Sequence, residues 1–164
     1  MTAMTTARKQ SLDTTYIIPY TKSVKNVFAT MMQLLVEVGS PSLKSADGPA
    51  SGVSATISLS GDVEGTLVLS FSIATAECVV SRLTGMQMAH DHKDFPDAVG
   101  ELVSMVSGGA KAQFTGKHVS FSGSSVVIGS KHVVSGGKDV VCIVMPCQCD
   151  CGGFAIEVSI RQTP

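Results

Sequence analysis

The chain has few aromatic residues, few charges and no long apolar runs, and each shortage excludes a class of protein. Aromatic residues make up 5% of the 164 residues and tryptophan is absent, so the core must consist mainly of aliphatic side chains and methionine. Lys and Arg total 12 and Asp and Glu total 13, a formal net charge of −1. General binding to nucleic acid or to anionic membranes needs a basic excess. A membrane-spanning helix needs about 20 consecutive apolar residues. We therefore expect neither nucleic acid nor a membrane as a partner.

The remaining composition is that of a folded domain. Hydrophobic residues make up 44% and charged residues 15%, whereas a wholly disordered chain has low hydrophobicity and high charge. The length predicts one domain, residues 16–164, after a flexible N-terminal segment, residues 1–15. That segment has no apolar stretch typical of a signal peptide, which predicts a cytoplasmic protein. In that compartment the five cysteines are expected to be reduced thiols.

The spacing of apolar residues predicts helices and strands in separate groups. Steps of three and four predict three helices, which run from Tyr16 to about Val38, from Thr75 to Leu83 and from Pro96 to Phe114. Thr75 is the expected cap of the second helix, and Gly85 its end. Alternation of apolar and polar residues, and an apolar run at 140–146, predict strands at 53–60, 63–72, 119–128, 140–146 and 154–160. A first hairpin is expected to turn at Gly61-Asp62 and a last one at Gly152-Gly153. Such grouping is typical of the α+β class, with long helices packed on a mainly antiparallel sheet.

The third predicted helix has two faces of different chemistry. A helical wheel at 100° per residue turns one set of residues toward the sheet: Val99, Leu102, Val103, Val106 and Ala110. The opposite set would lie one above another: Asp97, Glu101, Ser104, Gly108 and Lys111. Gly108 and Gly109 each cost about 1 kcal/mol relative to alanine inside a helix, which suggests a close contact there. Two interpretations remain open: a solvated helix face, or a docking face on which Glu101 meets a cation and Ser104 touches a ligand or water.

The sequence of this helix resembles a known signature. DAVGELVSMVSGGAKAQF is similar to the signature helix of the CheX branch of the CheC/CheX/FliY phosphatase family, approximately E-L-x-N-M-I-x-G-N-A-K. YIIPYTKSVKNVFATMMQLLVEVGSPSLK resembles the opening helix of that family, SATISLSGDVEGTLVLSFS its first hairpin and GGFAIEVSI its final strand. These segments occur in the family's order over about residues 16–161.

The resemblance implies a function and a set of site residues. In this family the acid of the motif pairs with the active-site lysine of a phosphorylated receiver domain, and the motif Asn orients a water in line with the aspartyl phosphate. The receiver supplies Mg²⁺, so no cofactor of the chain's own is expected. By position Glu101 is the acid, Ser104 stands at the Asn, and Gly109 stands at the second Asn. The expected catalytic residues are Glu101 and Ser104, and the expected partner-binding surface is Asp97, Glu101, Ser104, Gly108 and Lys111. The family also implies a homodimer formed through edge strands.

The replacement of the motif Asn leaves two functions open. A serine hydroxyl both donates and accepts hydrogen bonds, but it is shorter than a carboxamide, and a misplacement of about 1 Å costs on the order of 10²-fold in rate. The first hypothesis is a CheX-like signalling protein that docks a phosphorylated receiver and hydrolyses its aspartyl phosphate with impaired activity. The alternative is a non-catalytic module that binds a receiver or another protein through the same helix.

Three other clusters give weaker signals. Cys147, Cys149 and Cys151 alternate, and no second pair at zinc-ligand spacing accompanies them. We therefore expect thiols near a turn and no metal. His90 and His92, with the aspartates around them, are expected to form a solvated loop before the third helix. The serines at 122–125 have no His and Asp in a recognisable order, which gives no support to a hydrolase triad.

Overall fold

In the residues that the structure describes, three helices pack on one antiparallel sheet. The computed structural model describes residues 17–43, 51–114, 116, 118–132 and 142–162. Within these residues the helices are α1 (Ile18–Met32), α2 (Ile73–Thr84) and α3 (Phe95–Lys111). The strands are β1 (Glu37–Val38), β2 (Ser42–Leu43), β3 (Ser51–Gly61), β4 (Val63–Phe71), β5 (Val119–Phe121), β6 (Ser125–His132), β7 (Cys142–Cys149) and β8 (Gly152–Gln162). The predicted α+β class is confirmed. The flexible segment expected at 1–15 lies outside the described residues.

Two hairpins form the centre of the sheet. The strand order is β1-β7-β8-β4-β3-β5, with β2 also paired to β7 and β6 also paired to β3. The predicted hairpins β3–β4 and β7–β8 are confirmed by their antiparallel registers. The last turn lies at Asp150 and Cys151, two residues earlier than predicted, because Gly152 already pairs with Cys149 and Gly153 with Gln148.

The core lies between the sheet and the helices. Phe154 of β8 stacks on Phe28 of α1 with ring centroids 5.0 Å apart, and on Phe71 of β4 at 5.1 Å. All five residues predicted to face the sheet from α3 are buried: Val99, Leu102, Val103, Val106 and Ala110. The inner face of α3 is thereby fixed against the core, and the opposite face is left for solvent or a partner.

The first helix is shorter than predicted. It ends at Gln33, which adopts a left-handed conformation with φ 54°, and the Leu34 N–H donates to the Phe28 carbonyl at 3.0 Å. Beyond this point burial alternates, with Leu34 and Val36 buried and Leu35 83% exposed. Such alternation is the pattern of extended chain, and it leads into β1. The prediction of a helix as far as Val38 was wrong. The apolar run fits the period of a helix as well as that of a strand, and the pairing of Glu37 and Val38 with β7 makes these two residues a strand.

The start of the second helix also differs. Ser72 is the N-cap, and its hydroxyl accepts a hydrogen bond from the Thr75 N–H at 3.2 Å. Thr75, the predicted cap, is instead buried within the first turn. The predicted end is confirmed, since Gly85 adopts the left-handed conformation with φ 76°.

The polar face of the sheet is buried at its centre. Ser54, Ser70 and Glu157 are at most 8% exposed, and the Ser70 hydroxyl donates to Glu157 Oε2 at 2.5 Å. Alternation marks which residues share a face, but it does not show whether the polar face is covered.

A disulfide joins two distant parts of the chain. Cys78 of α2 is bonded to Cys151 in the β7–β8 turn, 73 residues away. The expectation that all five cysteines are reduced was wrong for this pair, because so distant a pairing leaves no local pattern. Cys147 and Cys149 are buried thiols. Burial raises the pKa of Cys147 to about 12, so it is protonated and unreactive at neutral pH.

One buried hydroxyl provides a test of the core. Tyr20 is fully buried, with its ring edge against Phe114 at a centroid distance of 5.8 Å. Within the described residues its hydroxyl has no hydrogen-bond partner, and burial raises its pKa. We expect Tyr20→Phe to increase the free energy of unfolding by about 1 kcal/mol, because an unsatisfied buried hydroxyl is removed. Urea unfolding measures this change, and a loss of stability would contradict it.

Candidate functional site on helix α3

The five residues predicted to form a partner-binding surface share one exposed face. Asp97, Glu101, Ser104, Gly108 and Lys111 are all exposed, and they lie opposite the buried stripe of α3. We call these five residues the α3 outer face. Glu101 and Ser104 are three residues apart and therefore neighbours on the helix surface. The structure thus brings together every site residue that the sequence predicted.

The charges on this face do not all have the same explanation. Asp97 lies in the first turn and Lys111 in the last, positions where each sign of charge stabilises the helix dipole. Glu101 lies in the middle of the helix, where the dipole gives it little stabilisation. None of these three side chains forms an ion pair within the part of the chain that the structure describes. Glu101 is therefore an exposed carboxylate available to a cation on a partner.

The glycines of α3 differ in their surroundings. A Cβ on Gly109 would collide with the Ser23 hydroxyl of α1, and that hydroxyl donates to the Val106 carbonyl at 2.6 Å where the helices cross. Gly109 is therefore explained by packing within the chain. A Cβ on Gly108 would meet nothing within 4 Å. Among the described residues, the close contact suggested for both glycines is thus found only at Gly109. Gly108 leaves the helix surface beside Ser104 without a side chain.

The loop between β5 and β6 borders this face, and sequence reasoning missed it. A Cβ on Gly100 would lie 2.7 Å from the Ser124 hydroxyl, so this hydroxyl occupies the space beside α3 that a side chain at residue 100 would fill. Ser122 holds the loop in place, since its N–H donates to the Ser58 carbonyl at 2.9 Å and its hydroxyl accepts from the Ser58 N–H at 3.1 Å. No local signal connects residues 100 and 124, because the contact depends on the sheet.

The sequence matches the model of a known protein family. The sequence model described as chemotaxis phosphatase CheX matches residues 53–148, more than half of the chain and all of α3. The chain belongs to the CheX family. Comparison with curated proteins gives no match. The family that the resemblance of the signature helix predicted is thereby confirmed.

Solved structures confirm the CheX-like fold. The chain is 28% identical to a CheC-like superfamily protein from Shewanella sp. PV-4, with a TM-score of 0.84 and coverage of 92% of this chain and 99% of that one. It is 27% identical to a chemotaxis protein CheX from Desulfovibrio desulfuricans, with a TM-score of 0.80 and coverage of 89% and 99%. It is 24% identical to a chain in a CheX-CheY-BeF3-Mg²⁺ complex from Borrelia burgdorferi, with a TM-score of 0.75 and coverage of 90% and 98%.

The other candidate clusters have local roles in the structure. His90 Nδ1 lies 2.9 Å from Glu77 Oε2, and hydrogen bonds from the side chain and backbone of His90 lower the pKa of Glu77. The His92 ring nitrogen accepts from the Asp94 N–H at 3.0 Å. The described residues contain no group of three or more His, Cys, Asp or Glu placed to hold a metal. That the chain needs no metal stays a prediction.

Two further features lie apart from the α3 outer face. An open groove of about 560 Å³ runs beside α2 and is lined by Glu77, Cys78, Ser81, Arg82, Gln87, Met88 and Ala89. It includes none of the five residues of that face. In the described part of the chain, no helix has both the length and the hydropathy to cross a membrane.

Proposed function

We propose that this CheX family member docks a phosphorylated response-regulator receiver through the α3 outer face and slowly hydrolyses its aspartyl phosphate. The observation that carries the proposal is that Glu101 and Ser104 are neighbours on the exposed face of α3, whose other face is buried against the sheet. By the resemblance, they stand at the positions of the family's acid and Asn. The fold neighbour from Borrelia burgdorferi is a CheX-CheY-BeF3-Mg²⁺ complex, which supports a response-regulator receiver as the partner.

The two residues have separate tasks in this proposal. The exposed carboxylate of Glu101 pairs with the lysine of the receiver's active site and sets the register of the helix. Ser104 points its hydroxyl toward the water that attacks phosphorus. The Mg²⁺ belongs to the receiver and neutralises charge on the phosphoryl group. Catalysis then consists of positioning, because the receiver already holds the phosphoryl group and the metal.

The docking half of the proposal is tested by charge reversal. We expect Glu101→Lys to weaken binding to a CheY receiver loaded with BeF3⁻ and Mg²⁺ by at least about tenfold, because two cations would then face each other. The side chain is exposed, so the free energy of unfolding should change by no more than about 0.5 kcal/mol. Calorimetry with a receiver from the organism that carries this chain measures the first quantity, and urea unfolding the second.

Glu37→Lys is the matched control for that experiment. Glu37 is an exposed acid on β1, at the far end of the sheet from β5 and β6, and its replacement makes the same change in net charge. It should bind the receiver as the wild type does. Equal affinity of the Glu101→Lys variant and the wild type would remove α3 as the docking surface.

A non-catalytic module is the second candidate, favoured by the short side chain at Ser104. Both candidates require docking, and they differ in whether the receiver loses phosphate faster than it does alone. A phosphorylated receiver that binds the chain yet decays at its own rate would identify the non-catalytic module. The cytoplasm is the proposed setting for either.

We propose further that the chain forms a homodimer through an edge strand. Among the described strands β6 is the longest at an end of the sheet, and it pairs on one side with β3. An unpaired antiparallel edge has free N–H and C=O groups that a symmetric partner can satisfy. At micromolar concentration, sedimentation should give twice the chain mass. Sedimentation at the mass of one chain would contradict the dimer.

A further inference from the structure

The Ser124 hydroxyl, in the loop between β5 and β6, lies against α3 at Gly100, one turn before Ser104. The Ser124 hydroxyl would lie 2.7 Å from a Cβ on Gly100, and Val126 Cγ2 would lie 3.7 Å from it. Ser104 comes four residues after Gly100, one turn along the same side of the helix. Because the Cα–Cβ bonds of a helix tilt toward its N-terminus, the side chain of Ser104 is directed back to the turn that contains Gly100. We call Gly100, Ser104 and Ser124 the Gly100 notch.

Both hydroxyls of the notch are available to a ligand. Ser104 and Ser124 are exposed, and neither side chain forms a hydrogen bond within the described part of the chain. Other serines nearby are already engaged: Ser107 donates to the Val103 carbonyl at 2.9 Å, and Ser122 donates to the Gly123 carbonyl at 2.9 Å. Since Ser122 anchors the loop to β3, the Ser124 hydroxyl is held beside α3 at little further cost in conformational entropy.

We propose that the Gly100 notch holds the attacking water, with Ser124 as a second water-positioning residue. This inference rests on the proposed function. Each hydroxyl can donate one hydrogen bond and accept two, so the pair can fix a water from two directions where one short side chain cannot. The water oxygen bonds to phosphorus as the bond from phosphorus to the aspartyl oxygen breaks. The receiver's carboxylate leaves with the electron pair, and the protons of the water leave with the released phosphate.

The test is the decay of a phosphorylated CheY receiver with single and double variants. We expect Ser124→Ala to slow the catalysed decay by about threefold to tenfold, the effect of one lost hydrogen bond. Affinity for the receiver loaded with BeF3⁻ should stay unchanged, which separates a positioning role from a docking role. Ser104→Ala/Ser124→Ala should be less impaired than the product of the single effects, because both hydroxyls serve one water.

Ser120→Ala is the matched control, since Ser120 is an exposed serine of β5 outside the notch. With this variant the phosphorylated receiver should lose its phosphate at the same rate as with the wild type. A catalysed rate that is equal in Ser124→Ala and the wild type would overturn the inference, and so would a wild type that does not accelerate decay at all. Equal rates would overturn the inference alone and leave the proposed function standing. A wild type without any acceleration would also contradict the hydrolysis half of the proposed function, while weaker binding of Glu101→Lys would still support docking.

Discussion

Reduction of the disulfide between Cys78 and Cys151 is expected to lower the free energy of unfolding by about 2–4 kcal/mol. The bond closes a loop with a sequence separation of 73 residues, so its loss enlarges the conformational freedom of the unfolded chain. The contact between α2 and the β7–β8 turn should survive reduction, because Gly152 of β8 also packs closely against Thr75 of α2. Urea unfolding with and without a phosphine reductant measures the difference.

The double variant Cys78→Ala/Cys151→Ala is the control for this experiment. Its unfolding midpoint should not respond to the reductant, and its stability should match that of the reduced wild type. Titration of thiols in denaturant without reductant should give three per wild-type chain, because the other three cysteines are not disulfide-bonded. Five thiols per wild-type chain, or a wild-type unfolding midpoint that is the same with and without reductant, would contradict the disulfide.

The disulfide should affect stability far more than docking. It ties α2 to the β7–β8 turn, whereas Glu101 and Ser104 project from the exposed side of α3, away from the core. Receiver binding by the reduced protein should therefore equal that of the oxidised protein wherever both are folded. This separation allows the docking experiments to be done in either redox state.

Features set by neighbouring residues could be predicted from the sequence. The outer and inner faces of α3 follow from steps of three and four, so Glu101 and Ser104 were placed together correctly. The β3–β4 hairpin follows from alternation on both sides of Gly61-Asp62. In both cases the deciding contacts lie within a few residues, where periodicity is a direct consequence of backbone geometry.

Features set by tertiary contact could not be predicted in the same way. Leu34 and Val36 fit a helix as well as an extended chain, and it is the pairing of the next residues, Glu37 and Val38, with β7 that ends the helical alternative. The approach of Ser124 to Gly100 and the bond from Cys78 to Cys151 join elements that only the folded sheet brings together. Gly109 stands at the second Asn of the resembled motif, but only the folded structure reveals the contact with Ser23 that assigns it to helix packing.

With Gly109 assigned to packing against Ser23, Ser104 is the departure from the resembled family motif that lies on the α3 outer face. We expect Ser104→Asn to accelerate decay of the phosphorylated receiver by on the order of 10²-fold, because the carboxamide restores a reach that the hydroxyl lacks by about 1 Å or more. Gly108 gives the longer side chain room, since nothing lies within 4 Å of a Cβ placed there. Binding to the receiver loaded with BeF3⁻ should change little, because Glu101 is retained.

Ser120→Asn separates this gain from a general effect of an added carboxamide. Ser120 is equally exposed but lies on β5, outside the α3 outer face, so its replacement should leave the decay rate unchanged. Because residue 104 is exposed, the free energy of unfolding of Ser104→Asn should lie within about 0.5 kcal/mol of that of the wild type. A faster decay of the phosphorylated receiver can then be assigned to the site. A decay rate equal to or below that of the wild type, with binding intact, would show that the length of this side chain does not limit hydrolysis. The water would then have to be held without residue 104.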